Sequence, residues 1–157
     1  TPQEVDVIAY LRAKGNDFKL LAESERKELQ MDFQPDLFMA TLQPTLLNQI
    51  IQNFLQNAFK FTPSKKRVQL KSFQTEAGLC IQVIDEGVGV DESFDHFAPF
   101  KRSGTKGGVG LGLFLAKSAA DALNAKITIE NRTDGIIGAV AALELTSSLS
   151  CVLPSAK

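Results

Sequence analysis

An α+β fold, a two-layer sandwich with helices on one face of a mixed, mostly antiparallel sheet, is what this sequence predicts. Three observations lead there. Apolar residues alternate in short runs near 68–73, 79–83, 126–131 and 138–145, the period of half-buried strands. Two segments, 45–61 and 111–124, repeat apolar residues every three or four positions, the period of a helix. The strands also arrive in hairpin pairs, where a doubly wound protein would alternate strand and helix strictly. With 157 residues, 44% of them hydrophobic and 22% charged, the chain has the ordinary balance of one domain with one core.

In chain order, Val5, Ile8 and Leu11, with Tyr10, stand at helical spacing and predict a helix from Thr1 to about Gly15, stopped by Lys14-Gly15-Asn16. From Asp17 the pattern shortens. Phe18 and Leu20, and then Leu29, Met31 and Phe33, alternate with polar residues and read as two strands able to pair. Pro35-Asp36 marks a turn, residues 36–41 an extended or irregular piece, and Pro44 suits the first turn of the next helix. In that helix Leu46, Leu47, Ile50, Ile51, Phe54, Leu55, Ala58 and Phe59 form the apolar face, and Thr62-Pro63-Ser64 ends it. Val68, Leu70 and Phe73 then pair with Leu79, Ile81 and Val83 across Glu76-Ala77-Gly78 as an antiparallel hairpin running into Asp85.

Between Glu86 and Gly110 no apolar period persists, yet Gly87, Gly89, Gly104, Gly107, Gly108 and Gly110 fall there, as in a functional loop. A second helix follows from Leu111 to Asn124, with Leu111, Phe114, Leu115, Ser118, Ala119, Ala122 and Leu123 on its expected inner side. Strands at 126–131 and 138–145 flank the turn Thr133-Asp134-Gly135, and the tail from Thr146 has little pattern.

Charge narrows the partners. Seventeen Lys plus Arg against 18 Asp plus Glu, a net charge of -1, supply no general field for nucleic acid or an anionic membrane, so a phosphate ligand must be held locally. The apolar stretches are shorter than the ~20 residues of a membrane-spanning helix, and a soluble fragment is expected. Cys80 and Cys151 show no CxxC spacing and read as idle thiols of a reducing cytoplasm.

Four motifs carry chemistry. On the first long helix Asn53, Asn57 and Lys60 share one face, two amides and an ammonium. Amide oxygens are hard ligands suited to Mg²⁺, and the ammonium can neutralise phosphate; the same spacing also suits a plain solvated face. Asp85 closes a strand and precedes Gly87 and Gly89. Its carboxylate can accept the exocyclic amino hydrogens of adenine while the glycines let backbone approach a ring, or it can simply cap a turn. Phe97-Ala-Pro-Phe100-Lys101-Arg102 sets two aromatics beside two cations, which can clip a loop down and reach phosphates, or form a small apolar cluster. Gly107-Gly108-Val109-Gly110-Leu111-Gly112-Leu113 runs into the second helix, where backbone N–H groups and the helix dipole can cradle polyphosphate. It is no Walker loop, lacking Gly-Lys-Ser/Thr, and no dinucleotide fingerprint, since Leu113 stands in place of the last glycine and no strand precedes it.

In this order and spacing the four motifs resemble the N, G1, F and G2 boxes of histidine kinases. The resemblance covers residues 46–145 and implies a Bergerat-type ATP site under a flexible lid, residues 90–109. By it Asn57 binds Mg²⁺, Asn53 supports metal and phosphates, Lys60 contacts phosphate, and Asp85 reads the adenine amino group. Gly87 and Gly89 admit the purine, Phe97 and Phe100 with Lys101 and Arg102 belong to the lid, and Gly108, Val109, Gly110, Leu111 and Gly112 sit by the phosphates. The gyrase, mismatch-repair and heat-shock ATPases share the fold but carry a Glu four residues before the metal-binding Asn; Asn53 stands there in this chain, and an amide takes no proton from water.

The resemblance therefore implies a kinase domain at 17–146, a remnant of the dimerisation helix or a linker at 1–16, and a tail at 147–157. Its cofactors would be ATP and Mg²⁺. Its partners would be the dimerisation and phosphotransfer domain of its own parent protein, expected to precede residue 1, and a response regulator, with no nucleic acid. A monomeric fragment of a homodimeric, cytoplasmic or membrane-anchored parent is expected. His96 lacks the His-Glu/Asp pattern of a phosphoacceptor and reads as a lid residue. A serine kinase of the anti-sigma-factor type and a nucleotide-binding interaction module are the rival readings.

Overall fold

The computed structural model describes residues 1–93, 95–97 and 110–146. Its elements are β1 (Gln3–Asp6), α1 (Val7–Ser24), β2 (Glu28–Phe33), β3 (Met39–Leu42), α2 (Pro44–Phe61), β4 (Arg67–Gln74), β5 (Gly78–Ile84), α3 (Gly110–Ala122), β6 (Lys126–Asn131) and β7 (Ala139–Thr146). Five strands form the main sheet in the order β2-β4-β5-β7-β6, and β1 and β3 form a separate pair. Only the β2–β4 contact in the main sheet is parallel. The mixed, mostly antiparallel sheet is thus as expected.

Register explains the layers. Met31 lies opposite Leu70, Leu70 opposite Val83, Val83 opposite Ala141 and Ala141 opposite Ile129, so one line of apolar residues crosses all five strands on the same face. Those residues join Leu47, Ile50, Phe54 and Leu55 of α2 and Ala116, Ala119 and Ala120 of α3 in one cluster. Cys80, Ile84 and Ala142, on the opposite face, are buried but lie outside that cluster. The helices therefore cover one face, where alternation places the apolar side chains. Among the described residues no helix is long and apolar enough to cross a membrane.

The first quarter of the chain departs from expectation. Residues 3–6 are a strand, pairing Gln3 with Leu42 and Asp6 with Met39, and α1 runs unbroken past Gly15 to Ser24. The expected strand at Phe18–Leu20 does not exist, and the expected boundary at residue 16 falls inside α1. Gly15 is a packing residue and not a stop: a Cβ there would strike the Met31 side chain of β2. Val7, Leu11, Gly15, Phe18 and Ala22 form one buried helical stripe, with Phe18 stacked on Phe59 of α2 at 5.7 Å between centroids. Asp6 caps α1, its Oδ1 accepting from Ile8 N at 3.1 Å.

The inner face of α3 also differs. Ala116, Ala119 and Ala120 are buried, while Leu115, Ser118 and Ala122 face solvent. Small residues win the interior because α3 packs along α2, and short side chains let the two helices come close. Asn124, with φ 58°, closes the helix in the left-handed conformation that Asn tolerates.

Candidate nucleotide-binding site

Asp85 follows the last residue of β5, where the chain leaves the sheet for the loop. Its Oδ1 accepts from Gly87 N at 2.9 Å and from Ala139 N at 2.9 Å. The backbone is held as well: Asp85 N donates to Ala139 O at 3.0 Å, and Arg132 Nη1 donates to Asp85 O at 3.0 Å. Both bonds that described residues make to the carboxylate fall on Oδ1, and none among them falls on Oδ2. Burial pushes the Asp85 carboxyl above the ordinary carboxylate range, opposed by the bonds from Gly87 and Ala139 and by the Arg132 charge.

The glycines beside it are required by geometry. A Cβ at Gly87 would lie 2.7 Å from the Phe61 carbonyl oxygen, which is backbone and cannot swing aside. Gly89 has φ +85°, and a Cβ there would lie 2.5 Å from Asn131 Oδ1. The loop is thus pressed between the end of α2 and the end of β6. Thr62, buried, meets it with Oγ1 accepting from Glu86 N at 3.4 Å.

On α2, Asn53 and Asn57 are half-buried and Lys60 is exposed. Asn53 Nδ2 donates to Gln49 O at 2.7 Å. A Cβ at Gly112 would lie 2.8 Å from Asn53 Oδ1, so the first turn of α3 abuts this amide and brings Gly112 to α2. Among the described residues no hydrogen bond engages the Asn57 amide. Its oxygen is a hard donor, and no group of three or more His, Cys, Asp or Glu that could hold a metal lies among those residues. That donor set fits Mg²⁺, which takes the rest of its shell from water and substrate phosphates. The Lys60 ammonium lies 5.5 Å from the Phe61 ring centroid, and the ring itself is 45% exposed.

Of the lid motif, Phe97 is half-buried against the core and its N–H donates to Asp95 Oδ1 at 3.0 Å. His96 Nε2 lies 2.8 Å from Asp91 O. Gly110 and Leu111 open α3. Phe100, Lys101, Arg102, Gly108 and Val109, and most of the expected lid, lie outside the described residues, as does the tail at 147–157.

Sequence reading missed the wall behind the site. Asn131 Oδ1 accepts from Val90 N and its Nδ2 donates to Val90 O, both at 2.8 Å, the pattern of a strand pairing made by one side chain. Arg132 and Gly138 complete that wall, and Phe61 offers an exposed ring beside Gly87. These residues have no motif spacing; Phe61 alone had a signal, an aromatic directly following Lys60 at the end of an otherwise buried helical face.

Residues 42–148 match the family described as histidine kinase-, DNA gyrase B-, and HSP90-like ATPase. The sensor protein KdpD of Clostridium acetobutylicum is 32% identical over 115 residues, 69% of this chain and 13% of that protein. The sensor protein CreC of Escherichia coli K12 is 27% identical over 146 residues, 90% of this chain and 30% of its own length. The chain thus spans well under half of these curated relatives. Among solved structures, the catalytic domain of the histidine kinase ThkA superposes with a TM-score of 0.83 at 21% identity, covering 94% of this chain and 96% of that one. Full-length ShkA in complex with AMPPNP gives 0.81 at 24%, covering 94% of this chain and 32% of that one.

The chain belongs to the histidine kinase-, DNA gyrase B- and HSP90-like ATPase family. Within it, the relatives KdpD and CreC are sensor proteins, and the catalytic domain of the histidine kinase ThkA has the same fold.

Proposed function

We propose that this domain binds Mg²⁺-ATP and transfers the γ-phosphate to a histidine on a separate dimerisation segment of its parent protein, for relay to a response regulator. Asp85 carries the reading. One carboxylate oxygen is spent on two backbone N–H groups and the other is left to accept from an amino group, which adenine presents and guanine lacks at that ring position. Phe61, exposed beside Gly87, supplies a ring for the purine face.

Asn57 would lend its amide oxygen to Mg²⁺, which when bound neutralises charge on the phosphate oxygens. Asn53 supports that site from one turn earlier, and Lys60 adds positive charge at the phosphates. Gly108, Gly110 and Gly112 would lend backbone N–H groups to them, with Phe97 and Phe100 as the aromatics of the lid and Lys101 and Arg102 as its cations for the phosphates. The domain positions the nucleotide, and the imidazole of the partner segment is the nucleophile. Asn53 cannot serve as a general base toward water, which favours phosphotransfer over hydrolysis. The parent is a homodimer, and this domain works in the cytoplasm.

Calorimetric titration of a non-hydrolysable ATP analogue, with and without Mg²⁺ and beside the GTP counterpart, tests the reading. Metal-dependent, adenine-selective binding is expected. Equal affinity for the two bases sinks the Asp85 assignment, and phosphorylation of serine instead of histidine in an added partner would sink the histidine kinase reading.

A further inference from the structure

Behind the base-reading carboxylate lies a buried cation that no motif predicts. Arg132 follows β6, and its side chain is 7% exposed. Its guanidinium makes three bonds: Nη1 to the Asp85 carbonyl at 3.0 Å, Nε to Asp134 Oδ1 at 3.1 Å and Nη2 to Asp134 Oδ2 at 2.7 Å. The last two form a fork-to-fork pair, the geometry that fixes a guanidinium in orientation. Gly138 makes the approach possible, since a Cβ there would collide with the Asp85 carbonyl oxygen and lie 2.9 Å from Arg132 Cδ. The bonds a buried guanidinium makes offset the cost of its burial, and here one of them is spent on the residue that carries the base-reading carboxylate.

We propose that Arg132, braced by Asp134 and seated on the Asp85 carbonyl, is a positioning residue for nucleotide binding, setting where the Asp85 carboxylate stands. The inference rests on the reading of Asp85 as the base-recognising group. Arg132 acts on Asp85 in two ways. It holds the carbonyl of the Asp85–Glu86 peptide, while Ala139 accepts from Asp85 N and donates to the carboxylate, so both the backbone and the side chain of Asp85 are tied. It also places a positive charge nearby, which favours the ionised carboxylate that burial disfavours. Among the described residues, Asp134 is bonded to Arg132, and Glu86 Oε1 accepts from the Arg67 backbone N–H at 3.2 Å. Lys60, at the end of α2, lies over the Phe61 ring.

The test uses the full 157-residue chain with Arg132→Met and Arg132→Lys. Two quantities are read: the ¹³C titration of the Asp85 carboxyl without nucleotide, and the affinity for a non-hydrolysable ATP analogue from pH 5 to 8. In Arg132→Met the Asp85 titration moves to higher pH, affinity at pH 7 falls about tenfold, the scale of one lost charge-assisted bond, and the acid limb of binding moves up with the titration. In Arg132→Lys the titration returns toward wild type because the charge is kept. Affinity recovers only in part, because an ammonium lacks the planar fork that spans Asp134 and the carbonyl. An unmoved Asp85 titration with wild-type affinity in Arg132→Met overturns the proposal, as does a loss of thermal stability with neither readout moved. If Arg132→Met does not fold, full affinity in Arg132→Lys overturns it. Wild-type protein that does not distinguish ATP from GTP analogues removes the base reading instead, and the carboxyl titration still reports on Arg132.

Discussion

Replacing Asp85 with Asn separates recognition from folding at one atom. Gly87 N and Ala139 N both donate to Oδ1, and an Asn oxygen placed there keeps both bonds. The other oxygen becomes an NH₂ group, so a donor meets the adenine amino donor where an acceptor stood. The loss is a charge-assisted hydrogen bond together with an unpaired donor on each side, about 2–4 kcal/mol, or roughly 30- to 800-fold in Kd. Stability should move the other way. The Asp85 carboxyl is pushed up by burial, so its charged form is disfavoured in the folded state and a neutral amide removes that cost. We expect a Tm equal to or above wild type with ATP-analogue binding lost at concentrations that saturate wild type, measured by differential scanning calorimetry and isothermal titration on the same preparation. Wild-type affinity in Asp85→Asn would refute the reasoning. So would a collapse of Tm, since the lost binding would then report only unfolding.

Acidification tests the same group by titration. A raised carboxyl pKa means the native state holds its proton more tightly than the unfolded chain, so this group's contribution to stability is full below the unfolded value and is lost as pH rises through the folded one. Nucleotide affinity runs opposite, falling on acidification already above the ordinary value of 3.8, and binding isotherms from pH 7.5 to 4.5 check it. Gly87→Ala drives a Cβ to 2.7 Å from the Phe61 carbonyl and should cost about 1–3 kcal/mol, seen as a drop of about 2–4 °C in Tm per kcal/mol together with weaker binding. Asn57→Ala should leave Tm near wild type, because no described residue depends on that amide, and should abolish the increase in affinity that Mg²⁺ brings in calorimetry. Phe54→Ala, emptying the core between α2 and the sheet, should cost about 3–5 kcal/mol in chemical denaturation.

Much of this was legible in the residues, for identifiable reasons. The period of α2 and the alternation of β4, β5, β6 and β7 are local signals, produced by one buried face and one wet face, and they survive without knowledge of the partners. Asn53, Asn57, Asp85 and its glycines stand out in the sequence because nucleotide chemistry asks for such residue types at close spacing. Where a signal was ambiguous, tertiary contacts chose. Gly15 reads equally as a helix stop or as a place for close approach, and Met31 of β2 decides for the second. The apolar Leu115 was expected inside α3, yet the closeness of α2 gives that side to alanines.

By itself, then, the sequence determined the class of fold, the β4–β5 and β6–β7 hairpins, the helices α2 and α3 and the four motifs, because each is written in periodicity or in short spacing. Only the tertiary structure decided that β1 pairs with β3, that β2 lies parallel to β4, that Asn131 pairs with the Val90 backbone, and that Arg132 and Gly138 lie against the Asp85 carbonyl, these last contacts each spanning more than forty residues of chain. Those contacts join segments distant in sequence. They depend on sheet order and register, which no local pattern encodes.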